Sequence, residues 1–404
     1  MEKEEQFVWT CSKGIPVKGS YDVIVIGGGV AGCAAALSAA RNGAKVCLAE
    51  REFMAGGLAT LGFVWCYLPL CDGNGNQIAG GIAEEFLKLS VLNGSGKIPD
   101  CWLEGGNLTE RKRTRYESEF NPYSFAANLE QCLLNSGVEL RYGSQVCSVV
   151  KAEDKISAVI TSEKEGFCAL KCKYLIDASG DADAVYLAED ETETRNDNRL
   201  AYWTYTCNKE ELSRQETQSP LYGKLPPEDR TYSGVKTEDI TDFCIDARNR
   251  IRVLQEKKKI GMPVAMSSIP QFRMSRRIVG SYTLKLEDEG IWFDDCVGMI
   301  PDWRYRGSVY CVPYRVMLPR QLKNVWAAGR CVSAVAEAGD TVRSIPACAV
   351  FGQAAGTAAA LANELSLNSA EVPVEKLQEI LKRDKVLIDK SLLSKRVKNE
   401  TGCE

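Results

Sequence analysis

The stretch of sequence that decides the fold is YDVIVIGGGVAG, residues 21–32. Its first six residues form a short run rich in β-branched apolar side chains, which is typical of a strand buried on both faces. A glycine-rich turn follows, and the alanine-rich segment after it, as far as Arg41, indicates a helix. Asn42 and Gly43 end that helix, and residues 44–49 predict a second strand. The chain therefore opens with a strand–helix–strand unit of the kind that builds parallel sheets.

Three glycines in this turn, Gly27, Gly29 and Gly32, have the Gly-x-Gly-x-x-Gly spacing of a dinucleotide-binding turn. The first permits a tight turn, the second lets the backbone approach a pyrophosphate, and the third lets the helix pack on the strand. The helix N-terminus adds amide donors and the positive end of a dipole. Glu50 follows the second strand, near the place where an acid binds a ribose hydroxyl. These residues predict a dinucleotide site and leave both NAD and FAD open.

Composition excludes several classes of function. The chain has 404 residues with 50 Lys and Arg against 54 Asp and Glu, and this net charge of −4 argues against a nucleic-acid partner. Its 45% hydrophobic and 26% charged residues are ordinary globular values. The sequence contains no histidine, which excludes Ser-His-Asp catalysis, histidine-bound metals and a flavin attached through an imidazole. We predict no metal site.

The 17 cysteines include no Cys-x-x-Cys pair, so neither an iron–sulfur cluster nor a zinc site is expected. We interpret most of them as small buried side chains of a cytoplasmic protein. The first 19 residues lack a basic and apolar leader. Two uncharged stretches, 23–40 and 344–363, are long enough to span a membrane, but the glycines of the first and the polar residues of the second indicate interior elements. We predict no membrane span.

Hydrophobic periodicity and turn residues predict the remaining elements. Helices are expected over Ile82–Val91, Pro122–Asn135, Ile240–Lys259, Ile345–Leu365 and Val374–Ile388. Strands are expected over Val138–Tyr142, Gln145–Lys151, Ile156–Thr161, Phe167–Ile176, Ile278–Leu286, Ser308–Val316 and Asn324–Ala328. The closely spaced strands from 138 to 176 predict a β-meander. After residue 188 the composition becomes polar and the strand–helix alternation is lost, which indicates an inserted unit.

Four further motifs accompany the glycine turn. In chain order they are Glu50-Arg51 with the loop Met54–Thr60, Gln145-Val146, Ile176–Asp183 and Val325–Arg330. With these motifs in this order, the chain resembles the FAD-dependent oxidoreductases that have a glutathione-reductase-like FAD fold and are related to fumarate reductase and succinate dehydrogenase flavoproteins. An enzyme that uses only NAD is not expected to repeat nucleotide motifs in this way, so the resemblance favours FAD, bound non-covalently.

The resemblance implies an α/β fold: a Rossmann-like FAD-binding domain of the glutathione reductase type with a β-meander and an inserted mixed α+β substrate or cap domain. We place the FAD-binding domain at residues 20–188 and 319–366, the inserted domain at 189–318 and a helical tail at 367–404. The residues implied in cofactor binding are Gly27, Gly29, Val30, Ala31, Gly32, Glu50, Arg51, Gly56, Gly57, Leu58, Val146, Ser179, Gly180, Asp181, Gly329, Arg330, Ser344 and Ile345.

The start of the uncharged helix is the first candidate for catalysis. Ser344 is a candidate N-cap, and the resemblance places this helix start beside the pyrimidine end of the flavin. Its amides then stabilise negative charge there, and Arg343 adds positive charge or binds an anionic substrate. A structural salt bridge is the alternative for Arg343. The family pattern often has a histidine where this chain has Ala336, so whether that change abolishes or alters activity stays open.

Two other candidates follow. Arg277, in a cluster with Arg273 and Arg276, resembles another family stretch, and clustered guanidinium groups favour a carboxylate or phosphate partner; the alternative is ion pairing with the acidic residues near 287–289. Tyr67 lies in the loop after the Gly-Gly motif and is a candidate proton donor, with core packing as the alternative.

The function we predict is hydride transfer between flavin N5 and a small polar or anionic substrate, by a dehydrogenase or reductase. An oxidase or monooxygenase is the first alternative, and a non-catalytic or electron-transfer flavoprotein is the second. The electron partner, the substrate and homo-oligomer formation stay open.

Overall fold

The computed structural model describes residues 14–208, 211–220, 224–227 and 229–396. The expectations for the first 13 residues and for the end of the tail, 397–404, lie outside the described residues. The helices are α1 (Val30–Arg41), α2 (Ile82–Val91), α3 (Pro122–Asn135), α4 (Asp183–Leu187), α5 (Thr237–Glu256), α6 (Ala336–Val342), α7 (Ile345–Leu365) and α8 (Val374–Arg383). The strands are β1 (Val17–Ile26), β2 (Val46–Ala49), β3 (Cys66–Tyr67), β4 (Ser118–Glu119), β5 (Glu139–Arg141), β6 (Gln145–Ala152), β7 (Lys155–Glu163), β8 (Gly166–Asp177), β9 (Thr192–Thr194), β10 (Asn198–Arg199), β11 (Ala201–Asn208), β12 (Glu211–Gln218), β13 (Thr231–Tyr232), β14 (Met262–Met266), β15 (Arg276–Ile278), β16 (Cys296–Pro301), β17 (Val309–Pro313) and β18 (Val325–Ala327).

The central sheet joins seven strands in the order β5-β2-β1-β8-β7-β6, with β18 paired to β8. Strand β1 is parallel to both of its neighbours, and Ile26 is level with Ala49 of β2 and Asp177 of β8. Strand β18 is also parallel to β8, with Ala327 level with Asp177. The carboxyl ends of four neighbouring strands therefore meet at one edge, which is where open parallel sheets bind their ligands.

The predicted α/β fold with its opening strand–helix–strand unit is confirmed. Strands β6, β7 and β8 form the expected antiparallel meander. The strand predicted before them belongs elsewhere, because β5 pairs parallel with β2 at the other end of the sheet. The meander therefore begins at Gln145 rather than at residue 138.

Helix α7 packs closely against α1. A Cβ atom on Gly352 would overlap the carbonyl oxygen of Ala31, and one on Gly356 would overlap that of Ala35. Among the described helices, α7 is long and apolar enough to cross a membrane, and 94% of its apolar window is buried inside the fold. The expectation of an interior element is confirmed, and the spacing of the two glycines lets the two helix backbones approach each other.

Several element predictions differ from the structure in extent, and two of them differ most. Helix α8 ends at Arg383 instead of residue 388, because Lys385 has a positive φ of 67° and the Val386 N–H turns back to the carbonyl of Leu381 at 2.9 Å. The strand expected over 278–286 shares only Ile278 with β15, which pairs with β9. Beyond it the chain bonds to two separate segments, at Leu318 and at Ser333, so no continuous ladder forms.

The inserted region has a small core of its own. Strands β12, β11 and β14 form an antiparallel sheet, and the buried residues of the core around α5 include Tyr202, Phe243 and Phe272. Strands β16 and β17, in contrast, belong to the large core that also contains α1 and α7. The domain boundaries stay predictions, and this packing favours ending the inserted unit before β16 rather than at residue 318.

Candidate functional site

A cavity opens at the carboxyl edge of the central sheet, with about 1410 Å³ of empty space when its open mouth is counted. Its walls include Gly27 and residues 29–31 after β1, residues 50–52 after β2, residues 56–59, residues 178–180 after β8 and residues 328–330 after β18. The glycine turn and the motifs that follow β2, β8 and β18 therefore reach one cavity, because these four strands end at one edge.

The glycine turn after β1 forms the cavity wall with its backbone. Gly27 adopts a φ of 92°, a left-handed conformation that suits glycine. A Cβ atom on Gly29 would meet no atom within 4 Å, so this backbone faces open space. A Cβ on Gly32 would overlap the Gly27 carbonyl oxygen. Gly27 therefore permits the turn, Gly29 leaves open space and Gly32 permits close packing. Of these three glycines, only Gly27 and Gly29 line the cavity.

The Gly-Gly loop lies directly on this turn. The Gly56 N–H donates to the carbonyl of Gly28 at 2.7 Å, and Gly29 and Gly56 form an isolated parallel bridge. A Cβ on Gly57 would lie 3.0 Å from the Cα atom of Gly29. Two backbones without side chains thus meet along one side of the cavity, where Leu58 extends the wall.

Glu50 closes the end of the cavity nearest β2. Its carboxylate is buried and accepts the Glu52 N–H at 2.8 Å and the Gly28 N–H. Burial raises the pKa of Glu50, while those two hydrogen bonds and the charge of Arg51 act in the opposite direction. Arg51 is itself half-exposed and pairs with Glu52 at 3.3 Å. Glu50, Arg51 and Val146 all line the cavity.

The turn after β8 is organised by a buried carboxylate. Asp177 accepts the Ser179 hydroxyl at 2.6 Å and is fully buried, which raises its pKa. The Arg330 guanidinium lies beside Gly180 and donates to Asp181 at 2.9 Å. Ser179, Gly180 and Arg330 line the cavity, whereas Asp181 does not. Asp181 therefore supports Arg330 from outside the cavity.

The N-terminus of α7 also points at the cavity. The Ser344 hydroxyl caps the helix by accepting the Ala347 N–H at 3.3 Å, as its N-cap position predicts. Ser344, Ile345 and Arg343 line the cavity. The Arg343 Nε donates to Asp340 at 3.1 Å. Two helices, α1 and α7, thus direct their free amides and positive dipole ends toward the same space.

The far wall joins the Gly-Gly loop to the inserted region. It consists of Val64, Cys66 and Leu68 on one side and residues 269–273 on the other. The two sides are tied together because the Ser268 N–H donates to the carbonyl of Leu61 at 3.1 Å. The inserted region therefore forms part of the cavity wall at this end.

Sequence reasoning missed most of this far wall. Ile269, Pro270, Gln271 and Phe272 line the cavity, although nothing in their local pattern sets them apart. Arg273 is the member of the predicted arginine cluster that lines the cavity, and its Nη2 donates to Gln218 at 3.0 Å. The cluster of arginines is the one sequence signal for this wall. The sequence analysis selects Arg277 from that cluster, whereas Arg273 lines the cavity.

Two predicted catalytic residues do not line the cavity. Tyr67 is fully buried, its hydroxyl donates to the Ala83 carbonyl at 2.5 Å, and burial raises its pKa well above the ordinary value. Arg277 is buried in an ion pair with Glu193, and its Nη1 donates to Ser333 at 3.2 Å. Burial lowers the pKa of Arg277. We therefore withdraw Tyr67 as a proton donor and Arg277 as an anion-binding group. Tyr67 packs in the core, and Arg277 pairs with Glu193 rather than with the acidic residues near 287–289. Ala336, which begins α6, lies outside the cavity wall as well.

Two thiols line the cavity. Burial raises the pKa of Cys66 to about 12 and that of Cys348 to about 11. Both side chains are therefore protonated at neutral pH, and a protonated thiol is a poor nucleophile.

The residues of this cavity fit a dinucleotide. The space in front of Gly29 is what a pyrophosphate requires, since any side chain there would fill it. The α1 amides face it, and the Glu50 carboxylate stands at the end of β2, where a ribose is bound in this type of fold. The fold and the cavity define a Rossmann-type dinucleotide-binding protein.

Comparison with known sequences identifies the family. The profile of the FAD-dependent oxidoreductases matches residues 22–207 and 198–381, which together span most of the chain. The chain belongs to this family. It is an FAD-dependent oxidoreductase, and its cofactor is FAD.

Individual relatives are more distant. The thioredoxin reductase of Ureaplasma parvum serovar 3 is 38% identical over 71 residues, which are 18% of this chain and 23% of that protein. Among solved structures, a geranylgeranyl bacteriochlorophyll reductase-like protein from Thermoplasma acidophilum is 15% identical over 92% of this chain and 84% of its own, with a TM-score of 0.47. The Sdh1 complex of Mycobacterium smegmatis contains a chain that is 13% identical over 90% of this chain and 72% of its own, also with a TM-score of 0.47.

Proposed function

We propose that the protein is a dehydrogenase or reductase that transfers a hydride between the flavin N5 and a small polar or anionic organic substrate. Bound FAD supplies the two-electron chemistry. The chain would bind and orient the substrate between the Gly-Gly loop and residues 269–273, and would hold positive charge beside it.

The observation that carries this proposal is the placement of Arg273 and Arg343. Both line the cavity, although they are 70 positions apart in the sequence. Their segments are in contact, because a Cβ on Gly339 of α6 would approach the Met274 sulfur to 2.6 Å. Guanidinium groups bind carboxylates through paired, charge-assisted hydrogen bonds. An anionic group is therefore the feature of the substrate that this wall favours.

The first test is the reoxidation rate of the anaerobically reduced holoprotein on mixing with air-saturated buffer. The proposal requires slow reoxidation. Fast reoxidation would overturn it in favour of an oxidase or monooxygenase. A flavin that is reduced only through a partner protein would instead support a non-catalytic or electron-transfer role.

The second test concerns the substrate site. Oxalate, an unreactive planar dicarboxylate, is titrated into the oxidised holoprotein, and binding is followed by the change in flavin absorbance. Arg273→Gln and Arg343→Gln should each weaken binding about tenfold or more, since each removes a charged hydrogen-bond donor. Arg315→Gln is the matched control, because Arg315 pairs with Asp295 at 2.8 Å and does not line the cavity. Equal affinity in all four proteins would remove the anionic substrate from the proposal.

Non-covalent FAD and a cytoplasmic location complete the proposal. No disulfide bond joins the 15 cysteines of the described residues to one another, which supports a reducing compartment. The cavity thiols Cys66 and Cys348 are the groups to which a flavin would be attached if the bond were covalent. Acid precipitation should therefore release all of the flavin into the supernatant, and flavin retained in the pellet would contradict non-covalent binding.

A further inference from the structure

Arg343 is held by a network of charged side chains that do not themselves line the cavity. The Asp340 carboxylate divides its two oxygens between two guanidinium groups: Oδ1 accepts from Arg343 Nε at 3.1 Å, and Oδ2 accepts from Arg304 Nη1 at 3.2 Å. The Arg343 side chain is 16% exposed, and that of Asp340 is 22% exposed. Asp340 is therefore the bridge between the cavity wall and the interior.

Arg304 is fixed from the other side. Its Nε and Nη2 donate to the two oxygens of Asp302 at 2.9 and 2.8 Å, and the Asp302 side chain is completely buried. Nη2 also donates to the Glu337 carbonyl at 2.7 Å and to the Thr341 hydroxyl at 3.2 Å. With so many bonds, the Arg304 guanidinium has one available orientation, and it presents Nη1 to Asp340.

The short helix α6 that carries Asp340 is anchored at its other end too. Glu337, in the first turn of α6, pairs with Arg396 at 2.9 Å, and Arg396 also pairs with Glu289 at 2.7 Å. The segment that precedes Arg343 is thus held at both ends by ion pairs to distant parts of the chain.

Stability alone does not account for such a network. The attraction within a buried ion pair is largely offset by the free energy needed to remove both charges from water. Well-packed apolar residues in the same place often stabilise the fold as much or more. What the network does provide is a fixed direction for one guanidinium. Asp340 holds Arg343 by Nε, and among the described residues no hydrogen bond is made by its two terminal nitrogens. Those two nitrogens form the edge that grips a carboxylate in a bidentate pair.

We infer that Asp340, itself held by Arg304 and Asp302, is a positioning residue that aims the terminal nitrogens of Arg343 at an anionic group of the substrate. This inference rests on the proposed function. It assigns no chemical step to Asp340, Arg304 or Asp302, which act through Arg343 alone.

The test uses the sign of the effect of Asp340→Asn on oxalate binding to the holoprotein. Asp340→Asn removes a negative charge close to the anion site, so a purely electrostatic or structural role predicts equal or tighter binding. A positioning role predicts the opposite, about tenfold weaker binding, because the amide has one oxygen for two guanidinium groups, and Arg304, which Asp302 fixes, competes with Arg343 for it. Arg304→Lys keeps the charge but not the forked geometry, and it should weaken binding in the same direction by a smaller factor.

Controls separate this inference from the proposed function. Asp295→Asn breaks an Asp–Arg pair outside the cavity and should leave oxalate affinity unchanged. FAD content and melting temperature are measured for each variant, so that affinity is compared only among folded, loaded proteins. If Arg343→Gln has no effect, the proposed anion site fails. If Arg343→Gln weakens binding while folded Asp340→Asn or Arg304→Lys binds oxalate as the wild type does or more tightly, the positioning role alone is refuted.

Discussion

Two substitutions in the glycine turn separate cofactor binding from folding. Gly29→Ala adds a methyl group at a backbone with φ −67° and ψ 179°, which alanine adopts freely. The new Cβ would meet no protein atom within 4 Å and would project into the cavity. Gly32→Ala adds the same methyl group three residues later, where it would overlap the Gly27 carbonyl oxygen.

The expected magnitudes are therefore opposite in the two variants. Gly29→Ala should change the free energy of unfolding of the apoprotein by less than about 1 kcal/mol, because the backbone is unstrained and only the N-cap preference is altered. It should weaken FAD binding by about 10- to 150-fold for each charged N–H bond that the displaced pyrophosphate loses, at about 1.5–3 kcal/mol per bond. Gly32→Ala should destabilise the apoprotein itself by about 1–3 kcal/mol or more, as overpacking does.

The assay uses apoprotein from which flavin has been removed. Circular dichroism in denaturant measures unfolding, and the quenching of FAD fluorescence on titration measures the dissociation constant. The reasoning is refuted if Gly29→Ala binds FAD with wild-type affinity, or if it destabilises the apoprotein as much as Gly32→Ala does. The first result would mean that the pyrophosphate does not lie in front of Gly29, and the second would mean that the space in front of Gly29 is not open.

Three further predictions concern single side chains. Tyr67→Phe should lower the free energy of unfolding by about 1 kcal/mol, because the hydrogen bond to the Ala83 carbonyl is lost. It should leave FAD affinity and turnover unchanged. A tenfold loss of turnover would restore Tyr67 as a catalytic candidate. Glu50→Gln should cost about 1–3 kcal/mol in denaturant unfolding, because one of the two backbone donors would then face an amide NH₂; unchanged stability would contradict this. Burial, together with the charges of Asp181 and Asp177, raises the pKa of Asp183 to about 6. A raised carboxyl pKa weakens the folded state as pH rises from about 4 to about 6, by at most about 3 kcal/mol. Asp183→Asn should therefore gain stability relative to the wild type between those pH values, in melts at pH 4 and pH 7, and a constant difference would exclude the shift.

The sequence predicts the cofactor site best at positions where a backbone motif directly follows the end of a strand. Of the residues implied in cofactor binding, Gly27, Glu50, Gly180 and Gly329 follow β1, β2, β8 and β18, whose ends are level across the sheet. Parallel pairing therefore brings them together without any help from side-chain detail. Each motif is a local pattern, and the sheet converts four local patterns into one cavity.

Side-chain roles were harder to predict, because they depend on which way a residue faces. Tyr67 follows the Gly-Gly loop as expected, but it lies in the short β3 strand and its ring turns into the core. Cys66, its neighbour in the same strand, lines the cavity instead. A strand alternates its side chains between two faces, so the choice between these neighbours depends on a register that composition does not reveal.

The ion-pair network that holds Arg343 could be predicted only in part from nearby residues in the sequence. Asp340 and Arg343 are three positions apart at the end of a helix, a spacing at which a contact is expected. Arg304 is 36 positions from Asp340, and it lies just after β16, a strand of the large core that includes α7. Only the packing of that core brings Arg304 to α6. A motif can therefore indicate that an arginine faces a flavin site, whereas the direction in which its charge points is decided by partners whose positions depend on the whole fold.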